Sequence, residues 1–311
     1  MIKHLGTFLT GLAMGAANVI PGVSGGTIAL ITGIYERLIL ALKKIDLESI
    51  QILLRGNIKA VWVRVDATFL FWLLLGVGVS IFSLARLFEW LLVNHETLTM
   101  SAFFGLILAS IFYVARDVAK WNVSSGAFLV VGTAIAVAIA TLAPASENPN
   151  PLYLFFCGVI AISSMILPGL SGSFVLILLG NYTLVLGAIN DLDLMVLIPL
   201  AAGCGVGLLA FAQILGWVFK RYRDATLATM TGFVLGSLVT IWPWKEPIIR
   251  VVELEDEKRE VVTGYTWLFP QLTETQTWLA IAIAVLGALA LVGMELAAAG
   301  KRPASPETGE R

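Results

Sequence analysis

Residues 21–35 read PGVSGGTIALITGIY, and residues 168–182 read PGLSGSFVLILLGNY. The shared frame is P-G-x-S-G, seven further residues, then G-x-Y, with the second copy 147 residues after the first (Pro21 to Pro168). Each copy sits inside a strongly apolar stretch. Pro removes a backbone donor and Gly permits tight turns, so neither serves a plain spanning helix at that place. An apolar helix broken twice, at corresponding places in two halves of a chain, points to a transporter with its site at the breaks.

The composition agrees. The 311 residues are 58% hydrophobic and 13% charged, with a mean hydropathy of +0.90. A soluble domain carries about a quarter charged residues, so the chain reads as a polytopic membrane protein, and no nucleic-acid partner is expected. The net charge of −1 decides little, because position governs the effect of charge in a membrane protein. Cys157 and Cys204 lie in apolar segments and read as packing residues. Together with His4 and His95 they are too few and too scattered for a metal site, and no cofactor is expected. Lys3, an apolar run and small residues near Ala16 imitate a secretory signal. The same kind of segment recurs at 152–167, so the N-terminal stretch belongs to the fold.

Apolar segments run over 5–20, 23–42, 67–93, 98–115, 125–142, 152–167, 173–190, 195–219, 225–242 and 277–297. A full crossing needs about 20 residues. The stretches flanking each break are partly shorter, and each pair reads as a re-entrant hairpin that dips in and returns; two short spans joined by a turn are the alternative. The repeat continues at a second spacing of 127 (Gly76 to Gly203). There Gly76-Val77-Gly78-Val79 matches Gly203-Cys204-Gly205-Val206, Ala85 matches Ala212, and Trp90 matches Trp217. GLILAS at 105–110 matches GFVLGS at 232–237. Each half is then a hairpin plus three crossings, an odd number, which turns the second half over. The expected fold is an all-α polytopic membrane protein of two inverted repeats, 1–147 and 148–299.

The distribution of basic residues tests the orientation. With the N-terminus in the cytoplasm, Lys3, Arg37, Lys43, Lys44, Arg55, Lys59, Arg64, Arg116, Lys120, Lys220, Arg221, Arg223, Lys301, Arg302 and Arg311 fall inside. The outer loops 94–97, 143–151 and 191–194 contain no Lys or Arg. Only the longer loop 243–276 departs, with Lys245, Arg250, Lys258 and Arg259 among many acids. Three parts read as peripheral. Residues 43–66 form an interfacial helix capped by Asp46 and broken at Gly56-Asn57. Residues 247–265 alternate like a β-hairpin, and the polar tail 300–311 reads as disordered.

The breaks carry chemistry. Pro21-Gly22 and Pro168-Gly169 end one half-helix, and Ser24 and Ser171 stand where the next would be capped. Gly25-Gly26 and Gly172-Ser173 follow with uncovered N–H groups, which attract anions at a helix N-terminus. The alternative is that the glycines only allow close helix packing. Arg86 and Glu89, three apart on one helix face, either hold a phosphate and release it or form a structural pair near the outer interface. Their repeat counterparts are Gln213 and Gly216. Glu36 and Arg37 end the first hairpin where the second copy has Thr183 and Leu184; they read as a coupling or gate pair, or as head-group-level residues. Asn18, Asn181, Tyr35 and Tyr182 are the other polar groups near the motifs, the tyrosines also fitting interfacial anchors. Trp90 and Trp217 suit aromatic belts on opposite faces.

The run GAANVIPGVSGGTIALITGIYERLI, the second PGLSGS and the GLILAS/GFVLGS pair resemble the polyprenyl-phosphate transporter family, formerly known as a domain of unknown function. The resemblance spans essentially the whole chain. It implies a non-enzymatic protein of the cytoplasmic membrane, both termini cytoplasmic, that returns undecaprenyl phosphate from the outer to the inner leaflet for reuse in envelope polymers. The polyprenyl tail would stay in lipid while the phosphate crosses. Carrying an anion inward costs about 2.3 kcal/mol per charge per 100 mV, so co-movement of protons or cations is expected, with Glu89 or Glu36 as the acids. The phosphate cradle is expected at Ser24, Gly25, Gly26, Ser171, Gly172 and Ser173 with Arg86. A homo-oligomer stays open. Membrane-embedded undecaprenyl-diphosphate phosphatases share P-G-x-S in a re-entrant region but follow it with Arg-Ser-Gly. Here Gly25 or Gly172 follows, and neither break has the positive charge that phosphoryl transfer needs. A transporter of a small soluble anion, or an ion channel, is the other alternative.

Overall fold

The computed structural model describes residues 2–19, 24–142, 144–254 and 257–299. Pro21, Gly22 and the tail 300–311 lie outside them. The chain folds as α1 (Ile2–Val19), α2 (Gly25–Ile31), α3 (Tyr35–Lys43), α4 (Leu47–Leu54), α5 (Ile58–Arg64), α6 (Ala67–Ala115) and α7 (Val123–Thr141). There follow α8 (Pro151–Ile166), α9 (Gly172–Leu178), α10 (Tyr182–Asp191), α11 (Leu194–Arg221), α12 (Arg223–Ser237), a hairpin β1 (Lys245–Leu254) and β2 (Glu257–Trp267), and α13 (Thr275–Ala299). It is an all-α polytopic membrane protein with one small β addition. Trp90–Ala115, Val123–Thr141, Leu194–Arg221 and Thr275–Gly293 are each long and apolar enough to cross a bilayer. Leu74, Val130, Ile198 and Leu286 on these and neighbouring helices are all well exposed. Apolar side chains presented outward on so many helices are stable only against lipid.

Two expected segments are broken again. The stretch 23–42 divides into α2 and α3, which meet at a bend of 117°, and 173–190 divides into α9 and α10 at 115°. The cause is the glycine of the G-x-Y end of the repeated frame. Gly33 (φ +72) and Gly180 (φ +75) take the left-handed conformation that stops a helix. The outer connection expected at 94–97 is present as a tight one, two helical limbs joined at His95. α6 runs through it with a kink at His95 (φ −143, ψ 44). No Gly or Pro interrupts the sequence there, so helix resumes at once. The kink nonetheless reverses the chain, because the rings of Phe88 and Phe103 come within 5.9 Å.

Glycine seams hold the helices together. Gly11 of α1 lies against the Leu73 carbonyl, and Gly76 of α6 against that of Phe8. In the second half Gly158 of α8 meets the Leu200 carbonyl, and Gly203 of α11 meets Phe155. These are the same contacts one repeat later, and small residues are what allow such approach in a membrane. The outer helices are exchanged. Gly105 on the second limb of α6 meets Ala284 of α13, while its repeat counterpart Gly232 on α12 meets Leu129 of α7. Thus α7 packs on α12, and α13 on α6.

One end of the molecule gathers the basic residues. There the start of α6 (Asp66) pairs with Arg37, Arg223 at the start of α12 lies 3.6 Å from Glu36, and Arg223 also reaches the Asp117 carbonyl after α6. α1 runs alongside the first limb of α6 away from this end, and α8 runs alongside α11 toward it, so α1 and α8 point in opposite directions. α4 and α5 lie at the basic end with Leu47, Leu54, Ile58 and Val63 exposed.

Asp46 caps α4, accepting from the Ser49 amide at 2.9 Å and from Arg64 at 2.9 Å. The Ser49 amide bond above all, with help from Arg64, holds its carboxyl below the usual carboxylate range. A carboxylate with a lowered folded-state pKa supports the cap above its unfolded value and loses it as pH falls through the folded one. The protection factor of the Ser49 amide, its exchange rate relative to the intrinsic rate at each pH, is therefore expected to stay high at neutral pH and to fall only in that acid range. A fall between pH 6 and 8, a range well above carboxylate titration, would contradict this.

Opposite the basic end, β1 and β2 pair antiparallel with Lys245 facing Trp267 and an irregularity at Ile248/Ile249. The indoles of Trp242 and Trp267 fasten the hairpin's foot by donating to the Leu268 and Val239 carbonyls, each at 3.0 Å.

Candidate functional site

The two breaks meet in the interior. Ser24 is the N-cap of α2, its backbone extended (φ −112, ψ 132) so that its Oγ accepts from the Gly26 amide at 3.1 Å. The same hydroxyl lies 3.3 Å from the Met165 carbonyl and 3.2 Å from that of Leu167, either of which can accept its proton. Tyr35 Oη donates to the Ile166 carbonyl at 3.1 Å, and the Gly169 amide donates to Thr27 Oγ1 at 2.8 Å. The last carbonyls of α8, left over by helix geometry, are therefore satisfied from the other half of the chain. Tyr35 is 1% exposed. It is a core residue joining the two breaks and not an interfacial anchor.

The first motif is closed. The Gly25 amide donates to Asn18 Oδ1 at 2.8 Å, that of Gly26 goes to Ser24, and those of Thr27 and Ile28 go to the Ser24 carbonyl. Ser24, Gly25 and Gly26 are all buried. An added Cβ at Gly26 would stand 2.6 Å from the Ile166 carbonyl, so this glycine is required for the approach of α8. In this conformation the amides of Gly25 and Gly26 have protein partners, and an anion reaches them only after Asn18 or Ser24 lets go.

The second motif is more open. Ser171 caps α9 (φ −111, ψ 129), accepting from the Phe174 amide at 3.5 Å, and its Oγ shares a hydrogen bond with Ser173 Oγ at 2.9 Å. The amides of Gly172 and Ser173 find no acceptor among the described residues. Beside them is a narrow cavity lined by Gly169, Leu170, Ser171, Phe174, Ala136 and Thr240. Gly169 takes φ +80 and sits against the Phe233 carbonyl, so a side chain is barred twice over. Asn181, fully buried, holds the strand of loop before α8 by exchanging both amide bonds with Asn148, each at 2.8 Å. One frame, used twice, has one copy locked and one copy available.

The remaining candidates are spread out. Arg86 and Glu89 belong to α6, and their side chains lie outside the described residues. Arg37 is at the basic end, on Asp66 at 2.7 Å with its guanidinium 4.2 Å over Phe69. Glu36 reaches Arg223 of the second half. Arg223 and Asp66 do not stand out in the sequence, because a pairing partner 29 or more residues away leaves no local pattern. Among the described residues no group of His, Cys, Asp and Glu is arranged to hold a metal.

A family model described as undecaprenyl phosphate translocase-like matches residues 14–258, which include both breaks and the helices α2 to α12. The chain belongs to that family. It is 41% identical over 300 residues to a polyprenyl-phosphate transporter of Vibrio cholerae, covering 94% of this chain and 97% of that protein. A polyprenyl-phosphate transporter of Staphylococcus aureus is 30% identical over 264 residues, covering 76% of this chain and 85% of its own. No solved structure matches the chain.

Proposed function

We propose that this protein carries undecaprenyl phosphate across the cytoplasmic membrane, from the outer to the inner leaflet, by alternating access about the two breaks. The observation that carries the reading is the meeting of two broken helices at the centre of a chain of this family. The opposed directions of α1 and α8 and the repeated glycine contacts support two inverted repeats, each with a re-entrant break. The cluster of cations at one end supports placing that end, and both termini, in the cytoplasm.

The inequality of the motifs supports alternating access. Two halves that share a frame but differ in conformation are what a rocking repeat produces in one state. Here the first motif is shut, and the second has amides without an acceptor among the described residues. We assign the phosphate cradle to Ser171, Gly172 and Ser173 in this state, with Ser24, Gly25 and Gly26 taking over after the switch and Arg86 supplying a positive charge. Glu89 is the acid assigned to coupling, since Glu36 is engaged at the surface. The reading is of a transporter and not a phosphatase, because the position after each motif serine is glycine, where phosphoryl transfer requires concentrated positive charge.

Glu36 and Arg223 act in this scheme as a latch between the first hairpin and α12. Both are about half exposed, so the pair contributes at most ~1 kcal/mol to stability, yet it ties elements that move apart. Reversing either charge, Glu36→Arg or Arg223→Glu, is expected to slow transport severalfold at unchanged melting temperature, and the double reversal to restore it. Equal transport by all four proteins would remove the latch.

Ligand-induced stabilisation of the purified protein tests the substrate. A ligand at about 100 times its Kd adds about 2.7 kcal/mol to the folded state. Undecaprenyl phosphate is expected to raise the melting temperature, and undecaprenol or phosphatidylglycerol at the same concentration not to. Equal shifts with all three would argue for generic lipid binding.

A further inference from the structure

On the basic-end side of the breaks, an apolar cavity of about 230 Å³ lies between α7, α11 and α12. Phe128, Leu167, Val218, Thr226, Thr229 and Phe233 line it, and Tyr222 stands at its outer limit. The threonines do not make it polar. Their hydroxyls donate one turn back, to the carbonyls of Tyr222 and Ala225, at 2.8 Å each, which leaves no hydroxyl hydrogen for a ligand. A phosphate inside would be stripped of water without compensation.

The surroundings say what fits. Leu167 lines the cavity and also supplies a carbonyl to Ser24, so the cavity adjoins the paired breaks. Phe233, with Leu170 and Ala136, forms an apolar cluster between it and the narrow cavity at Ser171. Beside Tyr222 the chain carries Lys220, Arg221 and Arg223, all exposed. Arg223 is engaged by Glu36, and Asp224 is spent on the amides of Ala119 and Lys120. Lys220 and Arg221 have no carboxylate partner among the described residues. A dry slot flanked by available cations matches a ligand with an apolar chain and an anionic end.

We infer that this cavity holds the isoprene units next to the phosphate of a polyprenyl phosphate in the basic-end leaflet, while Lys220 and Arg221 receive the phosphate. The inference rests on the lipid-transport reading above and extends it to a second place for the same lipid, on the far side of the Phe233 cluster from Ser171. Passage between the two places then requires Phe233 to move. A soluble anion would use the cations but have no use for the slot.

The test is photolabelling of the full-length protein in vesicles with undecaprenyl phosphate carrying a diazirine on the isoprene next to the phosphate. Label is expected on Phe128, Thr229 and Phe233, displaced by excess undecaprenyl phosphate and not by phosphatidylglycerol. Thr229→Trp, which fills the slot, is expected to reduce both labelling and transport about tenfold, equivalent to roughly 1.4 kcal/mol of lost binding. Label confined to the outward faces of other helices, or displaced equally by phosphatidylglycerol, overturns the inference. Should the variant fail to fold, the wild-type labelling decides alone. Transport by the wild-type protein is measured in the same vesicles: its absence defeats the functional reading, whereas transport with label outside the slot defeats only this inference.

Discussion

Gly172→Leu is expected to lower transport by about a hundredfold, the scale on which a roughly 1 Å misplacement acts at a functional site, in a protein that still inserts. An added Cβ at Gly172 would lie 2.8 Å from the Ala161 carbonyl and 3.3 Å from Met165 Cβ, so the start of α9 must shift away from α8. The larger side chain would also cover the amides of Gly172 and Ser173, which find no acceptor among the described residues. Gly172 is only half-buried, so the side chain has a direction in which to escape and the fold survives. Gly25→Leu is expected to be as inactive for another reason. Its Cβ would stand 2.8 Å from Asn18 Oδ1 and displace the bond that closes the first motif. The measurement is vesicle transport per inserted molecule. Wild-type rates from both variants would remove the cradle.

The second large effect concerns assembly. Gly105→Leu and Gly232→Leu are each expected to destabilise the protein by about 3 kcal/mol or more, at the upper end for overpacking. Their added atoms would collide with the backbone of Ala284 and of Leu129, and backbone cannot step aside. Gly78→Leu and Gly205→Leu make a matched control, because these two glycines also correspond across the repeat and have open space where a Cβ would go. They should be tolerated. Yield of monodisperse protein and its melting temperature read the difference. If Gly105→Leu is harmful and Gly232→Leu harmless, the equivalence of the two seams is lost.

The broken helices and the internal repeat were legible because their signal is composition: Pro, Gly and Ser where apolar residues would do, at constant spacing. The same frame also contains the glycines of the turns at Gly33 and Gly180, but a lone glycine in an apolar run reads as a packing residue until its positive φ is seen. The exchange of α7 and α13 left no trace, since Gly132 and Gly287 fall outside the matching blocks. Those two glycines are spaced differently from every other pair. The reversal at 94–97 was legible because polar residues accumulate there, but its tightness was not, since nothing in N-H-E-T breaks a helix. At the site, the serines and glycines were found by pattern. The closing of the first motif was not, because it depends on Asn18 one helix earlier and on carbonyls of a helix about 140 residues away. Side chains that answer a backbone group across the molecule carry no periodicity.

Whether this protein moves the lipid is decided by leaflet accessibility. The protein is reconstituted in vesicles loaded with undecaprenyl phosphate, and a membrane-impermeant phosphatase is added outside. The protein is expected to expose the inner-leaflet pool to the phosphatase, under a suitable proton or cation gradient, and to leave phosphatidylglycerol where it was. An inner pool that stays protected under gradients of both signs would contradict this and turn attention to soluble anions.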